Sequence, residues 1–251
     1  MILITVTHTQ GSVPREAGTW MIVHRDGIEG TLGGGHVEFQ AIQLAREMLG
    51  EDTACARTKR FALGPSLGQC CGGVMDLSFE QIDTQQILQL QAKQNERLQP
   101  VTLFGGGHVG QAIVHVLSKL PCRITWIDSR DEIFPSNLSP NVICEHSDPV
   151  QSAVPLMATK SIVLIMSFSH AEDLEIVHQC LKRQRERNDL SFIGLIGSKT
   201  KRATFQNRLR DRGFTDLELA HVTCPIGLAT IKGKEPEVIA VSVAAQLLSL
   251  I

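Results

Sequence analysis

The strongest constraint on the fold is a glycine-rich turn between an apolar strand and an amphipathic segment. Gly105-x-Gly107-x-x-Gly110 directly follows the predicted strand 101–104 and directly precedes the segment 111–120. Glycines at this spacing allow a tight turn and let backbone N–H groups approach a pyrophosphate at the positive end of the helix. The placement predicts a Rossmann-type nucleotide-binding domain.

An acidic residue follows this loop at the distance expected of a ribose contact. Asp128 ends the second predicted strand, eighteen residues after Gly110. The loop and this acid predict binding of NAD(P) or another adenine nucleotide. The alternative is that the loop only shapes a strand-to-helix turn and Asp128 only caps a turn. The candidate cofactor-binding residues of this half are Gly105, Gly107, His108, Gly110 and Asp128.

From residue 100 onward, apolar strands alternate with helices. Strands are predicted at 101–104, 123–127, 142–144, 161–168 and 192–196, and helices begin near His108, Asp148, Ala171, Lys199 and Glu235. Such alternation is typical of a parallel sheet covered on both faces. The predicted fold class is therefore α/β, with a small mixed α+β N-terminal domain followed by a Rossmann-type parallel-sheet domain.

The first half of the chain has short strands and turns around one helix near residues 37–49. A glutamine-rich segment, 84–99, follows and is closed by Pro100. Because few of its residues are apolar, we predict a surface helix that joins two domains. The predicted organisation is an N-terminal domain at 1–83, a helical linker at 84–99 and a Rossmann-type domain at 100–251.

Part of the glycine loop recurs in the first half of the chain: residues 33–37 have the same sequence, GGGHV, as residues 105–109. Both runs lead into a predicted helix. Glu38 stands where the third glycine would be, which argues against dinucleotide packing at the first copy. An anion site at a helix start and a chance recurrence of loop residues are both open interpretations.

Charge and hydropathy exclude several classes of protein. With 24 basic and 26 acidic residues the chain has no field that would attract nucleic acid or an anionic membrane. No apolar run reaches the ~18–20 residues that span a bilayer, and residues 1–9 are too short for a signal peptide. We therefore expect no nucleic-acid or membrane partner and a cytoplasmic location.

Two of the seven cysteines are adjacent. Cys70 and Cys71 lie between glycines, where a thiolate could reach a ligand, whereas the other five are scattered and expected to be buried, reduced thiols. Adjacent cysteines lack the spacing of a zinc knuckle, so a structural zinc is not expected. The pair suits a soft metal centre or sulfur transfer, and a tight loop without chemistry is the alternative.

Six short motifs, in order along nearly the whole chain, resemble those of one family. They are GSVPREAG at 11–18, GTLGGG at 30–35, LGQCCGG at 67–73, the glycine loop at 105–110, GLIGSK at 194–199 and CPIGL at 224–228. With these motifs the chain resembles the XdhC/CoxI family, accessory proteins that prepare molybdenum cofactor for xanthine dehydrogenase and related hydroxylases. One departure is that the chain begins close to its first strand, without the N-terminal element of longer relatives.

The resemblance implies a carrier that binds molybdenum cofactor, a molybdopterin, and shields it. The carrier brings the cofactor to a cysteine desulfurase for sulfuration and delivers it to apo-xanthine dehydrogenase. The family also commonly forms homodimers. Carried over to this chain, Cys71 is the expected molybdenum-contacting residue. The other residues implied to contact the cofactor are Gln69, Cys70, Arg15, Gly33, Gly34 and Gly35.

A binding protein is thus the leading interpretation, and turnover chemistry is not expected. The alternative from another class is an NAD(P)-dependent oxidoreductase, which the glycine loop and Asp128 would also serve. That alternative needs an acid-base group beside a substrate. The chain contains no tyrosine, which excludes the Tyr-Lys chemistry of short-chain dehydrogenases.

Overall fold

The computed structural model describes residues 1–50, 56–63 and 72–251. The chain divides into two compact units, Met1–Ala92 and Lys93–Ile251. The first carries an antiparallel sheet and the second a parallel sheet, which confirms the predicted fold class. The division falls inside a helix, Thr84–Arg97, that occupies most of the segment predicted as a linker.

In the described part of the first unit, five strands form one antiparallel sheet. They are β1 (Ile2–Gln10), β2 (Trp20–Val23), β3 (Ile28–Gly30), β4 (Arg57–Ala62) and β5 (Val74–Gln81), in the order β3-β2-β1-β5-β4. Alternate residues of β5 are buried, with Met75, Leu77 and Phe79 in the core, as the sequence pattern predicts. The strand β3 was not predicted from the sequence, because its three residues are all exposed and show no apolar alternation.

Helices cover both faces of this sheet. The helix α1 (Gly35–Leu49) buries Val37, Ala41 and Met48 in the larger cluster. The helix α2 (Thr84–Arg97) buries Ile87 in the smaller cluster, which includes Leu3 and Ile22 from the opposite sheet face. A reciprocal pair of hydrogen bonds between Asp83 and Gln86 caps the start of α2. The glutamine-rich helix is therefore packed along one face and solvated along the rest.

Residues 93–251, all of which the structure describes, contain a six-stranded parallel sheet. Its strands are β6 (Gln99–Phe104), β7 (Cys122–Asp128), β8 (Val142–His146), β9 (Ile162–Ile165), β10 (Phe192–Leu195) and β11 (Val222–Thr223). The order β11-β10-β9-β6-β7-β8 reverses direction between β6 and β9. Ligands of doubly wound sheets bind at such a switch point, outside the carboxyl ends of the strands.

Helices connect these strands and cover the sheet. They are α3 (His108–Leu117), α4 (His170–Arg187), α5 (Lys199–Asp211), α6 (Asp216–Leu219) and α7 (Pro236–Leu248). The helix predicted near Asp148 is wrong in type, because Val150–Leu156 is a 3₁₀ helix with Pro155 inside it. A proline lacks the amide that an α-helical hydrogen bond needs, so the shorter form is favoured.

A buried arginine holds this 3₁₀ helix against α4. Arg183 is 4% exposed and forms a two-bond ion pair with Asp189 at 2.8 and 2.7 Å. Its third contact is a 2.7 Å hydrogen bond to the carbonyl oxygen of Val154. The hydrogen bond from Arg183 lowers the pKa of Asp189. The carboxylate therefore satisfies a charge that the core could not otherwise hold.

We predict that Asp189→Ala destabilises the second unit by about 3–5 kcal/mol, because it leaves the Arg183 charge buried and unpaired. The matched control is Asp216→Ala, which removes an exposed partner of Arg210 and should cost less than about 1 kcal/mol. Urea unfolding in a Trp20→Phe background measures this, since Trp126 is then the single tryptophan.

The same pair predicts a pH dependence. Because the pKa of Asp189 is lower in the folded state than the ordinary value of about 3.9, its contribution is present above that value. The contribution should disappear as the pH falls through the lowered folded pKa. Equal unfolding free energies for the wild type and Asp189→Ala at pH 7 would contradict the role given to this carboxylate.

Candidate functional site

The glycine loop of the second unit closes the carboxyl end of β6 at the switch point. Gly105 adopts a φ of +123°, which side chains disfavour, and a Cβ there would overlap the carbonyl of Met166 at the end of β9. A Cβ on Gly110 would overlap the carbonyl oxygen of Gly105. Trp126 donates a 2.9 Å hydrogen bond to that same oxygen. Packing against the protein itself therefore requires the first and third glycines.

Packing within the protein does not require a glycine at the middle position of the loop. Gly107 is the N-cap of α3 with an ordinary φ of −69°, and a Cβ there would meet nothing within 4 Å. Gly107 and His108 are exposed, and their amides have no hydrogen-bond partner among the described residues. A glycine here leaves room for an anion to approach the backbone at the start of a ten-residue helix.

Asp128 lies at the end of β7, as predicted, but its carboxylate is already engaged. It is 2% exposed and accepts hydrogen bonds from the amide of Gly106 at 2.5 Å and from the amide of Arg130 at 2.9 Å. The guanidinium of Arg130 adds two bonds of 2.8 Å. Burial alone would raise the pKa of Asp128, but these hydrogen bonds outweigh burial and lower it. A ribose hydroxyl would have to displace Arg130.

The residues that cover Asp128 were not predicted from the sequence. The guanidinium of Arg130 lies 4.8 Å from the ring centroid of Phe168, which follows β9. A Cβ on Gly106 would lie 2.6 Å from a side-chain carbon of Ile133. The one signal in the sequence is an arginine two residues after the acid, which alone does not distinguish a ligand contact from an internal ion pair.

A second ion pair braces the carboxyl ends of β9 and β10. Lys201 donates to Asp173 at 2.5 Å and to the carbonyl oxygen of Ile196 at 2.9 Å. The other oxygen of Asp173 accepts 2.8 Å bonds from the amide and the hydroxyl of Ser167. Lys201 belongs to the basic run 199–202, for which the sequence leaves open a phosphate contact or a solvated helix start. Its side chain is 10% exposed and is paired within the protein. We call Ser167, Asp173, Lys201 and Ile196 the β9–β10 brace.

His108, the first residue of α3, lines a groove of about 950 Å³ that runs along that helix. The groove continues past Gln111 and His115 to Pro236 and Glu237 at the start of α7. His108 forms no hydrogen bond or ion pair among the described residues.

The glycine loop of the first unit is held by a carboxylate from its own helix. Glu38 accepts hydrogen bonds from the Thr31 hydroxyl at 2.5 Å, the Leu32 amide at 2.8 Å and the Gly34 amide at 3.0 Å. Burial acts to raise the pKa of Glu38, but these bonds outweigh it and lower the pKa. Two amides that could have bound an external anion are therefore occupied.

Backbone conformation accounts for all three glycines of this loop. Gly33, Gly34 and Gly35 have φ values of +105°, +77° and +72°, which side chains rarely adopt. A Cβ on Gly33 would lie 2.6 Å from Pro14 Cβ and 3.3 Å from the Cγ of Arg15. The loop thus packs on the segment that carries Arg15, which is exposed and has no ion-pair or hydrogen-bond partner among the described residues.

The residues flanking the cysteine pair join the same end of the sheet. Gly73, two residues after Cys71, packs so closely on Gln10 and Ser12 that a Cβ would overlap their carbonyl oxygens. The amide of Leu63 donates a 2.7 Å bond to the carbonyl of Gly73. The candidate residues Gln69, Cys70 and Cys71 themselves lie outside the described residues.

In residues 1–50, 56–63 and 72–251, no group of three or more His, Cys, Asp or Glu side chains is arranged to hold a metal ion. Within the same residues, each helix is too short or too polar to cross a lipid bilayer.

Comparison with known protein families gives two matches. The model of the XdhC Rossmann domain matches residues 101–247, more than half of the chain, and the model of the XdhC and CoxI family matches residues 1–61. The chain belongs to the XdhC and CoxI family. Both units are thus accounted for, and the resemblance drawn from the six motifs is confirmed.

Two known proteins are similar to this chain over nearly its whole length. The uncharacterized protein YqeB of Escherichia coli (strain K12) is 26% identical over 98% of this chain. The chain spans 42% of the length of that relative. The crystal structure of a xanthine dehydrogenase from Bacillus halodurans superposes with a TM-score of 0.78, covering 99% of this chain and 90% of that one. At a sequence identity of 21%, this superposition shows a shared fold.

Substitutions at the family's glycine loop should separate packing from ligand contact. Gly110→Ala should destabilise the second unit, because its Cβ overlaps Gly105, by roughly the 1–3 kcal/mol of an overpacked site. Gly107→Ala should change stability by less than about 0.5 kcal/mol, because its Cβ meets nothing. Urea unfolding in the Trp20→Phe background, followed by Trp126 fluorescence, measures both. A larger loss in Gly107→Ala than in Gly110→Ala would contradict this assignment.

Removing the Glu38 carboxylate should loosen the loop of the first unit. We expect Glu38→Ala to cost about 1–3 kcal/mol, because the amides of Leu32 and Gly34 lose their acceptor. Hydrogen–deuterium exchange of peptides covering residues 31–38 should accelerate. Glu47→Ala, an exposed acid on the same helix, is the matched control. Unchanged exchange in Glu38→Ala would show that other contacts hold the loop.

Proposed function

We propose that this chain is a molybdenum-cofactor carrier, a binding protein that accepts the cofactor and releases it to an apo-enzyme. A cysteine desulfurase would sulfurate the carried cofactor, and xanthine dehydrogenase or a related molybdenum hydroxylase would receive it. The observation that carries this proposal is the convergence of the family's three N-terminal motifs at one end of the antiparallel sheet.

That convergence rests on contacts of described residues. Gly73 lies at the end of the cysteine motif and packs on Gln10 and Ser12. Gln10 directly precedes the GSVPREAG motif, and Ser12 belongs to it. Gly33, from the GTLGGG motif, packs on Pro14 and Arg15 of that same motif. Segments far apart in sequence are thus brought together by glycines that tolerate no side chain. Such close backbone approach fixes the three segments against one another, so a ligand that contacts one of them could reach the others.

The chemistry of the residues fits the proposed cargo. Arg15 is an exposed guanidinium without a partner among the described residues, so it could pair with the phosphate of a pterin. Cys71 would supply a soft thiolate, which suits molybdenum better than a hard oxygen ligand does. Gln69 and Cys70 are proposed as neighbouring contacts, and Gly33, Gly34 and Gly35 as the backbone that shapes this end of the site.

The Rossmann unit is proposed to hold a phosphate-containing group. Gly105 and Gly110 set the turn, and the free amides of Gly107 and His108 would receive an anion. The ligand would be the cofactor's own phosphate or an adenine nucleotide such as NAD(P). Calorimetry with NAD, NADP, ATP and released molybdenum cofactor compares these ligands, and Gly107→Val should weaken whichever binds by filling the space above the backbone.

The state of Asp128 favours the carrier over an NAD(P)-dependent oxidoreductase. Both of its oxygens are engaged by Gly106 and Arg130, which leaves little capacity for a ribose. Lys201 and Asp173, the charged pair at the same sheet edge, neutralise each other in the β9–β10 brace. We therefore propose a binding role without turnover. From the family resemblance alone, we also propose that the protein forms a homodimer.

Cys71→Ser is expected to abolish molybdenum retention while the fold stays intact. A neutral hydroxyl is a far poorer ligand for a polarizable metal–sulfur centre than a thiolate. Because glycines follow the cysteine pair, the change in stability should stay within about 1 kcal/mol. The measurement is molybdenum per protein by elemental analysis after anaerobic incubation with released cofactor, with melting temperature recorded in parallel.

Cys70→Ser is the matched control and should lose less molybdenum, because adjacent side chains in an extended or turn segment point in different directions. Cys122→Ser makes the same replacement at a buried thiol remote in sequence, and it should leave molybdenum retention unchanged. Full molybdenum binding by Cys71→Ser would overturn the assignment of the metal contact. Absence of molybdenum from the unmodified protein would overturn the carrier function itself.

A further inference from the structure

A cleft of about 690 Å³ opens at the carboxyl ends of β10 and β11, apart from the glycine loop. One wall comes from the turn that starts α5, a second from the loop after β11, and a third from the start of α7. Apolar side chains, including Pro225, Leu228 and Val238, line much of it. Its volume lies within the ~300–1,000 Å³ typical of small-molecule sites.

The charged side chains that line this cleft all have the same sign. They are Lys199, Arg202 and Lys234, and no aspartate or glutamate is among the described lining residues. None of the three side chains forms an ion pair or hydrogen bond among the described residues. Glu235 is not a lining residue, but its carboxylate accepts a hydrogen bond from the amide of Lys234 and lies beside Gly233, which is one.

Several other cations of the same unit are neutralised by carboxylates, although exposed ones such as Arg208 have no partner among the described residues. Arg130, Arg183, Arg185, Arg210 and Arg212 are each paired with a carboxylate. Lys201, adjacent to Arg202, is neutralised by Asp173 in the β9–β10 brace. A protein with net charge −2 therefore leaves three cations unpaired around one concave surface. Such a surface concentrates anions.

The base of the cleft adds no compensating negative charge. Cys224 lines the cleft, is 3% exposed and directly follows β11. Burial raises the pKa of the Cys224 thiol, while the charges of Lys201 and Arg202 act in the opposite direction. The thiol is therefore uncharged at neutral pH. The positive potential of the three cations is left for a ligand.

We propose that this cleft binds the phosphomonoester of a small organic molecule. The phosphate would lie between Lys199, Arg202 and Lys234, because a dianion satisfies several cations at once. The organic group would rest on the apolar wall. A nucleoside monophosphate and the phosphate arm of a pterin share this chemistry.

The cleft is separate from the phosphate loop proposed above. In the sheet, β10 and β11 are the second and third strands from β6, across β9. With neighbouring strands about 4.8 Å apart, the cleft lies about 10–15 Å from the Gly105 loop along the same edge. One phosphate cannot contact both. The inference therefore stands without the carrier function, and it would survive if that function failed.

Paired variants on one helix test the proposal. Arg202 and Arg208 are both exposed residues of α5 without partners among the described residues, but only Arg202 lines the cleft. Binding of GMP to the full chain is measured by calorimetry, with guanosine as the ligand that lacks the phosphate. We expect Arg202→Gln and Lys199→Gln each to weaken GMP binding about tenfold, since a hydrogen bond to a charged group contributes about that much.

Arg208→Gln removes the same charge and should leave GMP affinity unchanged. Equal weakening by Arg208→Gln and Arg202→Gln would overturn the proposal, as would equal binding of guanosine and GMP. Competition by anaerobically released molybdenum cofactor distinguishes the two sources of phosphate. Displacement of GMP assigns the cleft to the pterin phosphate, and no displacement assigns it to a nucleotide. Failure of both GMP and the released cofactor to bind the unmodified protein would exclude a phosphomonoester site.

The Gly107→Val variant separates the two phosphate sites. It should leave the effect of Arg202→Gln on GMP affinity intact, because the cleft does not involve the Gly105 loop. Loss of all GMP binding in Gly107→Val would show that GMP binds at the loop, and the cleft assignment would then be wrong. Trp126 melting curves check that each variant remains folded.

Discussion

The contact between α3 and β6 is the constraint on which the second unit depends. A strand and a helix joined by a short turn can pack this closely only where two backbones meet without side chains. Gly110 provides that meeting point on the helix and Gly105 on the turn. Trp126 then fixes the neighbouring strand by donating to the carbonyl of Gly105. The position of the helix start, and of the free amides of Gly107 and His108, follows from this contact.

The two GGGHV segments have the same sequence, but their backbone amides are bonded differently. In the first unit, Glu38 from the following helix turns back and satisfies the loop amides. In the second, Gly110 occupies the corresponding position, so the helix moves close to the turn and a carboxylate from the next strand, Asp128, takes one amide. One difference in sequence thus decides whether the helix start is filled by the protein or left open.

The sequence predicted the architecture well where hydrophobic pattern and glycine spacing determine it. The parallel sheet, the loop at Gly105 and the end of β7 at Asp128 were all predictable, because each depends on residues close together in the chain. The strands β3 and β11 were not, because one is fully exposed and the other has two residues. Pattern methods need several alternating residues to detect a strand.

The site was predicted less completely, and for a different reason. Two ion pairs, Arg130 with Asp128 and Lys201 with Asp173, could not be predicted. Both depend on how the surrounding elements pack in three dimensions. Local sequence carries no information on which of several adjacent cations is buried. The same holds for the cleft at β10 and β11, whose three cations are contributed by two segments more than thirty residues apart.

The β9–β10 brace has a consequence for the thermodynamics of ligand binding. Ser167, Asp173, Lys201 and Ile196 are linked to one another by hydrogen bonds within the protein. The turn that leads into α5 is therefore already ordered, and association does not have to restrict its motion. Binding at this sheet edge should lose little conformational entropy, so that affinity depends mainly on contacts and desolvation, as expected of preorganised sites.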